Sequence, residues 1–465
     1  MNSMSPLELL LKYNRQAPRY TSYPPAPYFT RDPEGAGALA MVDGSNRVGP
    51  WNVSLYFHIP FCPRRCHFCG CHTEIGRSGA SIRGYLDTLI EETRMLLPHL
   101  EPSRPVTQIH FGGGTPNAVP FNYLEDLLDL VRSRMTLEPD AEVAMECDPN
   151  LITEERIREL DRMGFNRLSF GIQDFNPKVL EAVNRRFPKI QPKELFRLCR
   201  ELGFSGNNLD LIYGLPHQTL ESFRETLDKA IDAAPDRISL FPYAHVPWVK
   251  GHQAVLTDLP MPDALARLSI ALESRETLEG AGYVAVGMDQ FARPGDELAL
   301  AVRDGALHRN FQGYCHAGRA GQVYGLGASA ITQLHAGYLQ NVKDLEDYKS
   351  MVLAGRFPWA GAYMMRPEDI AVRSIINGLL CAEEADLEAA FAGAGVGPAW
   401  RLHYLAQSLE RLAQYREDGL VVIEDGIVRL LGNGRYLARL VAAAFDPMLT
   451  GGTEGAEEPR YSKAV

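Results

Sequence analysis

The stretch YFHIPFCPRRCHFCGC, residues 56–71, runs from an apolar strand straight into four cysteines, Cys62, Cys66, Cys69 and Cys71. Three residues separate the first pair and two the second. Thiolates this close in sequence can wrap one inorganic cluster without help from a distant part of the chain. Iron–sulfur cubanes are usually held by four thiolates, so a loop offering three leaves one iron open to a small molecule. The rival is a structural zinc site, with His67 and His72 near enough to complete a shell. Zinc usually draws its ligands from two well-separated pairs. Here all four cysteines fall within ten residues and no second knuckle follows. Eight cysteines in 465 residues are too sparse for a disulfide framework, and no apolar signal peptide opens the sequence. A reducing cytoplasm is expected.

Outward from this loop, residues 51–290 alternate short apolar runs with longer amphipathic segments. The runs are NVSLYFHI, VTQIHFGG, AEVAMECD, RLSFGIQD, NNLDLIYG and RISLFPYA. Between them, segments such as YLDTLIEETRMLL place Leu86, Leu89, Ile90, Met95 and Leu96 roughly at helical spacing. Six strand–helix units in a row predict a parallel α/β sheet. Periodicity alone does not separate a barrel from an open sheet. Polar or glycine residues, however, gather where each strand ends: Cys62 onward, Gly112 to Thr115, Glu146, Gln173, Asp210 and Tyr243 to His245. Barrels build their active sites from such ends, so a TIM-like barrel is favoured. The segment YVAVGMDQFA is expected to pair beside or beyond it.

Appendages flank this core. Residues 1–50 form an arm containing APRYTSYPPAPYF, too aromatic for a floppy leader and expected to pack over the active site. The core runs to about residue 345; residues 346–445 then read as helices followed by the hairpin LVVIEDGIVRL, a mostly helical, winged-helix-like domain. Residues 446–465 have little to bury and are expected to be a disordered tail. Net charge is −11 with no basic block, which argues against nucleic acid as a partner. No apolar run has membrane-spanning length. No obvious interface stripe appears, so a monomer is expected.

Taken in order, KYNRQAPRYTSYP, YFHIPFCPRRCHFCGC, HFGGGTP, ECDP, GFNRLSFGIQDFN, VNRR, LDLIYGLPHQT, YAHVP, GMDQFARP, HRNFQGY and GLGASAI resemble the oxygen-independent coproporphyrinogen III dehydrogenases of the radical S-adenosylmethionine (SAM) superfamily. The resemblance implies a partial (β/α)6 barrel and a 4Fe-4S cluster on Cys62, Cys66 and Cys69. It also implies two SAM molecules. Tyr56, Phe68, Gly70, Gly113, Gly114, Thr115 and Glu146 match positions around the cluster-bound one, and Gln173, Arg185, Asp210, Ala244 and Ile331 match positions around the second. Cys71 corresponds to a cysteine that serves the reaction without binding the cluster, and Tyr56 joins it as a catalytic candidate.

The implied reaction turns two propionates of coproporphyrinogen III into vinyl groups, giving protoporphyrinogen IX of haem biosynthesis. It needs an electron donor of flavodoxin or ferredoxin type. Four substrate carboxylates call for basic groups, for which Arg19, Arg293, His308 and Arg309 are candidates. Taken alone, Glu146 or Asp210 would equally suit a structural ion pair, and a glycine triplet a plain tight turn. Competing readings are a haem chaperone of the same superfamily, a radical SAM methyltransferase acting on haem, and a metal-stabilised scaffold. The RYTSYP arm and the fourth cysteine set the chain apart from the chaperones. Two departures stand out: Gln290 where the family more often has histidine, and CAEEADLEAAF where it has a more basic, aromatic stretch. Glutamine cannot titrate near neutral pH, so no proton-transfer role is expected there.

Overall fold

The computed structural model describes residues 5–34 and 37–449. Helix α1 (Pro6–Lys12) comes first, started by a capping box: the Ser5 hydroxyl accepts from the Glu8 amide, and the Glu8 carboxylate accepts from the Ser5 amide. Six parallel strands then lie side by side in chain order: β1 (Val53–Ile59), β2 (Pro105–Gly113), β3 (Thr136–Cys147), β4 (Arg167–Gln173), β5 (Asn208–Tyr213) and β6 (Arg237–Pro242). Long helices follow each of them: α2 (Gly79–Leu96), α3 (Phe121–Arg132), α4 (Glu154–Met163), α5 (Pro192–Glu201), α6 (Leu220–Ala233) and α7 (Ala264–Gly280). The expected six units are all present.

The sheet does not close. Beyond β6 the segment expected as a seventh strand is an antiparallel hairpin, β7 (Val284–Val286) and β8 (Gln290–Ala292), with Gln290 opposite Ser239. A separate ribbon follows, β9 (Leu307–Asn310) with β10 (Gly313–His316). On the other flank, β11 (Gln322–Leu326) pairs in parallel with β1. Antiparallel β12 (Ile331–Gln333), β13 (Gly337–Asn341) and β14 (Trp359–Met364) extend it, giving one sheet of twelve strands. The sheet therefore outlasts the expected boundary at residue 345, because β14 pairs with β13.

Strand alternation divides the side chains of the six central strands into two sets. Leu55, Phe57, Ile109, Phe111, Val143, Met145, Leu168, Phe170, Leu209, Leu211 and Ile238 join the apolar core shared with the helices. Their alternate neighbours are polar: Tyr56, His58, Gln108, His110, Glu142, Glu146, Arg167, Ser169, Asn208, Asp210, Arg237 and Ser239. They bond to one another across the strands, as in Asn208 to Ser169 (2.9 Å), Ser239 to Asn208 (3.0 Å) and Arg167 to Glu142 (2.6 Å). The concave side of the sheet is a polar lumen.

The arm packs in two places. Ala38, Met41 and Val42 join the main core. Leu9, Leu10, Tyr13, Ala17, Tyr20 and Tyr23 instead build a second core with the C-terminal helices α8 (Pro367–Ala382), α9 (Pro398–Glu417) and α10 (Ala438–Ala444). Tyr13 stacks on Tyr415 at 4.7 Å. Arg439 donates to the carbonyls of Ala17 and Pro18, and Arg309 to those of Arg19 and Tyr20. The expected hairpin gains a third strand: β15 (Glu384–Asp386) pairs with β17 (Ile427–Leu430), which pairs with β16 (Val421–Glu424) across a turn at Asp425 and Gly426, both with positive φ. At the expected tail, Asp446 is fully buried and Pro447–Leu449 forms a short turn. Residues 450–465 lie outside the described residues. No helix among the described residues is long and apolar enough to cross a membrane.

Candidate active site

Where β1 ends, the cysteine loop is pinned from several sides. Tyr85 of α2 donates to the His58 carbonyl (2.6 Å), and the amides of Gly114 and Thr115 donate to Ile59 (2.8 Å) and Phe61 (2.9 Å). The Thr115 hydroxyl reaches Cys62 Sγ at 3.2 Å, and Arg185 Nη1 lies 3.7 Å from Cys66 Sγ. Close approach requires glycines here: a Cβ on Gly113, whose φ is +110°, would collide with His58, and one on Gly114 with Pro60. The triplet is thus a fitted surface, not merely a turn.

All four cysteines line one cavity of about 260 Å³, together with Phe68, Gly113, Gly114, Thr115, Glu146, Gln173, Arg185 and Asp210. Eleven of the residues expected around the cluster and the two SAM molecules therefore meet in one space, with Cys71 beside them. Tyr56 stands beside it on β1, stacked on His110 at 5.9 Å with its hydroxyl 3.0 Å from His58 Nδ1. Gly70 is exposed between Cys69 and Cys71, and Ala244 lies just past β6. Ile331 packs instead with the Phe29, Tyr338 and Met365 cluster.

The basic candidates scatter, and Arg293 needs correcting. It donates to the Pro235 carbonyl (3.1 Å) and lines a different cavity with Arg167, Arg237 and Asp296, at the strand starts. A carboxylate at the cysteine mouth is out of its reach. Arg309 is buried with its guanidinium spent on the arm's carbonyls. His308 sits on β9 opposite Cys315, its pKa lowered by burial and by Arg373. Arg19 ion-pairs with Asp289 and lies 5.1 Å over the Phe241 ring, near the end of β6.

Electrostatics suit a cationic guest. Burial pushes the Cys62 thiol up to about 11 and raises Cys66 against the pull of Arg185. Cys71 donates to Cys69, which lowers Cys69 and raises Cys71. Such thiols need a positive centre to stay ionised, and bound iron provides one. Among the described residues no three metal-binding side chains converge on one point, as a zinc shell would require. Ligands spread over a cubane do not need to.

Glu146 lies deep in the lumen, which would raise it. A bond from His110 (3.4 Å), the Gly113 amide (3.0 Å) and the field of His58 outweigh that and hold it below the usual range. Asp210 is pushed up to about 6 by its depth and by Glu146, against hydrogen bonds from Asn208 (2.7 Å), Ser169 (3.2 Å) and Ser239. Neither acid meets a lysine or arginine among the described residues, so the structural ion pair is not formed.

Gln173 adds a further sign. Its φ of +73° coincides with a register shift against β5, a bulge that re-aims the side chain. Gln173 Oε1 and Arg185 Nε are buried without hydrogen-bond partners. Orphaned polar atoms, two acids without a lysine or arginine partner and a glycine cradle around one cavity fit a polar, cationic cofactor over a metal cluster.

Sequence reasoning missed His58, His110, Ser169 and Asp148, the last 3.6 Å from Arg185. The first three alternate with core residues along their strands, a period-two signal present in the sequence.

A family model described as the radical SAM superfamily matches residues 56–230. The chain is 41% identical over 447 residues to the oxygen-independent coproporphyrinogen III oxidase of Salmonella typhimurium, covering 95% of each chain. It is 36% identical over 461 residues to the protein so named in Synechocystis sp., covering 98% of this chain and 97% of that one. A solved structure of coproporphyrinogen III oxidase from Escherichia coli, described as a radical SAM enzyme, superposes with a TM-score of 0.85 at 36% identity, covering 95% of this chain and 98% of the other.

Proposed function

We infer the reaction from kinship: the chain belongs to the oxygen-independent coproporphyrinogen III oxidases of the radical SAM superfamily, the dehydrogenases its motifs resemble. It decarboxylates two propionates of coproporphyrinogen III oxidatively to vinyl groups, giving protoporphyrinogen IX without oxygen. Cys62, Cys66 and Cys69 would hold a 4Fe-4S cluster at the wall of the cavity, and the chemistry it would supply is the one-electron reductive cleavage of SAM. Each propionate loses one hydrogen atom, then carbon dioxide and one further electron.

The protein's own groups order these partners. Glu146 would hold the ammonium of a first SAM, beside glycines whose bare backbone permits close approach. Gln173, Arg185 and Asp210 would hold a second, for which the unpartnered Gln173 Oε1 and Arg185 Nε offer polar contacts. Cys71 stands at the rim of the same cavity, beside the three proposed cluster ligands but not among them. Tyr56, braced by His58 and His110, positions the wall beneath Glu146. The arm covers the mouth through Arg19, the boundaries falling near residues 50 and 365. A flavodoxin- or ferredoxin-type reductant supplies electrons to a cytoplasmic monomer.

The convergence of three thiols and two acids without a lysine or arginine partner on one cavity carries this reading. Its test is anaerobic cluster reconstitution followed by SAM, a reductant and coproporphyrinogen III. A monovinyl and then a divinyl porphyrinogen is expected. Haem retained tightly with no vinyl product would point to a chaperone instead.

A further inference from the structure

The loop after β6 does more than close the barrel rim. It braces the cysteine loop from outside: Lys250 Nζ donates to the Cys71 carbonyl (3.0 Å), the His252 ring to the Cys69 carbonyl (2.9 Å) and Gln253 Nε2 to the Phe68 carbonyl (2.9 Å). The same loop turns Trp248, Val249 and Val255 to solvent, at 53%, 63% and 56% exposure. Exposed apolar groups rimmed by charge mark interaction sites.

The charge around them is cationic. Arg65 and Lys250 both act on the His252 ring, as does His67. Neither Arg64, Arg65 nor Lys250 is matched with a carboxylate among the described residues, in a chain of net charge −11. A local excess of positive charge on an acidic protein attracts an acidic partner while the rest of the surface repels it.

We propose that this patch is the landing site of an acidic one-electron donor protein. The proposal rests on the cluster reading of Cys62, Cys66 and Cys69 and adds where its electron enters. Trp248 and Val249 form the apolar contact, Arg65 and Lys250 the charged rim. His252, bonded to the carbonyl of a cluster ligand, offers a short path inward. One electron leaves the donor and enters the bound cluster; no atom or proton moves. A porphyrinogen would seek the same cations from within the cavity, but the apolar groups face outward, where a protein lands.

The test titrates cluster-loaded enzyme with an acidic flavodoxin by calorimetry at low and high salt. Trp248→Glu and Val249→Glu are compared separately, since neither side chain bonds the cysteine loop or lines the cluster cavity. Each is expected to weaken flavodoxin binding about tenfold or more, and raising the salt to weaken the wild type likewise. SAM cleavage driven by dithionite, which needs no landing surface, should stay within about twofold. Unchanged flavodoxin affinity in both variants overturns the proposal. So does a raised KM for coproporphyrinogen III with flavodoxin binding intact, or a dithionite-driven rate that falls as far as the flavodoxin-driven one. Flavodoxin binding that depends on both residues, in an enzyme forming no vinyl product, supports the docking site and sinks only the porphyrinogen reading.

Discussion

The two ends of the barrel lumen are both polar, yet they spend their charges differently. At the strand starts, a cavity of about 500 Å³ is lined by Glu142, Arg167, Arg237, Asp296, Glu297 and Arg319, which pair among themselves. At the strand ends Arg185 pairs with Asp148, but Glu146 meets only the His110 ring, at 3.4 Å, and Asp210 only neutral amide and hydroxyl groups; neither of these two acids meets a lysine or arginine among the described residues. Buried charge is costly unless compensated. The first end is compensated by the protein and therefore serves the fold; the second waits for a ligand and therefore serves chemistry. This is the division barrels follow between their two faces.

That contrast can be broken in descending steps. Cys62→Ser should abolish the cluster's visible absorbance and SAM cleavage while thermal unfolding of the apoprotein stays put; a retained cluster would place its ligands elsewhere. Asp296→Ala should cost about 3 kcal/mol, because it removes the 2.8 Å partner of Arg237, which is 4% exposed and keeps only the longer contact to Glu297 at 3.9 Å. Denaturant titration measures this, and a neutral result would move the lower cavity out of the structural class. Glu146→Gln is expected to raise the KM for SAM about tenfold to hundredfold with stability altered by less than about 1 kcal/mol, since only a charge-assisted bond is lost.

Asp210 gives a subtler readout. Its folded pKa of about 6 lies above that of an ordinary aspartate, so the folded state binds the proton more tightly. The stability this group contributes is full below about pH 4 and is lost as pH rises through about 6. Asp210→Asn should remove that decline, leaving the variant's advantage in thermal unfolding larger at pH 7 than at pH 4.5. Smallest of all, Lys193→Ala breaks a pair whose side chains are 68% and 64% exposed, and unfolding should shift by less than about 0.5 kcal/mol.

The six strand–helix units could be read from apolar runs and helical spacing, and the cysteine loop from its spacing alone. Those signals are local. What escaped the sequence was assembled over distance. β11 pairs with β1 across more than two hundred intervening residues, and its run GLGASAI reads as a glycine-rich loop. β14 is short and half-exposed, so nothing in its composition announces a partner in β13. Arg293 was a fair candidate by residue type, but only the hairpin's turn back along β6 reveals which end of the lumen it faces. The CAEEAD stretch supplies β15, which pairs with β17 in the C-terminal sheet and lies outside the cluster cavity.

The arm's burial beside α8, α9 and α10 has a consequence for the order of folding. Tyr13 stacks on Tyr415 at 4.7 Å and its hydroxyl donates to Asp418, about four hundred residues further along the chain. Pairings so remote in sequence close slowly, because a long loop must be ordered first. In refolding, a probe on Tyr13 should therefore report after one on the central strands, whose neighbours lie far nearer in sequence.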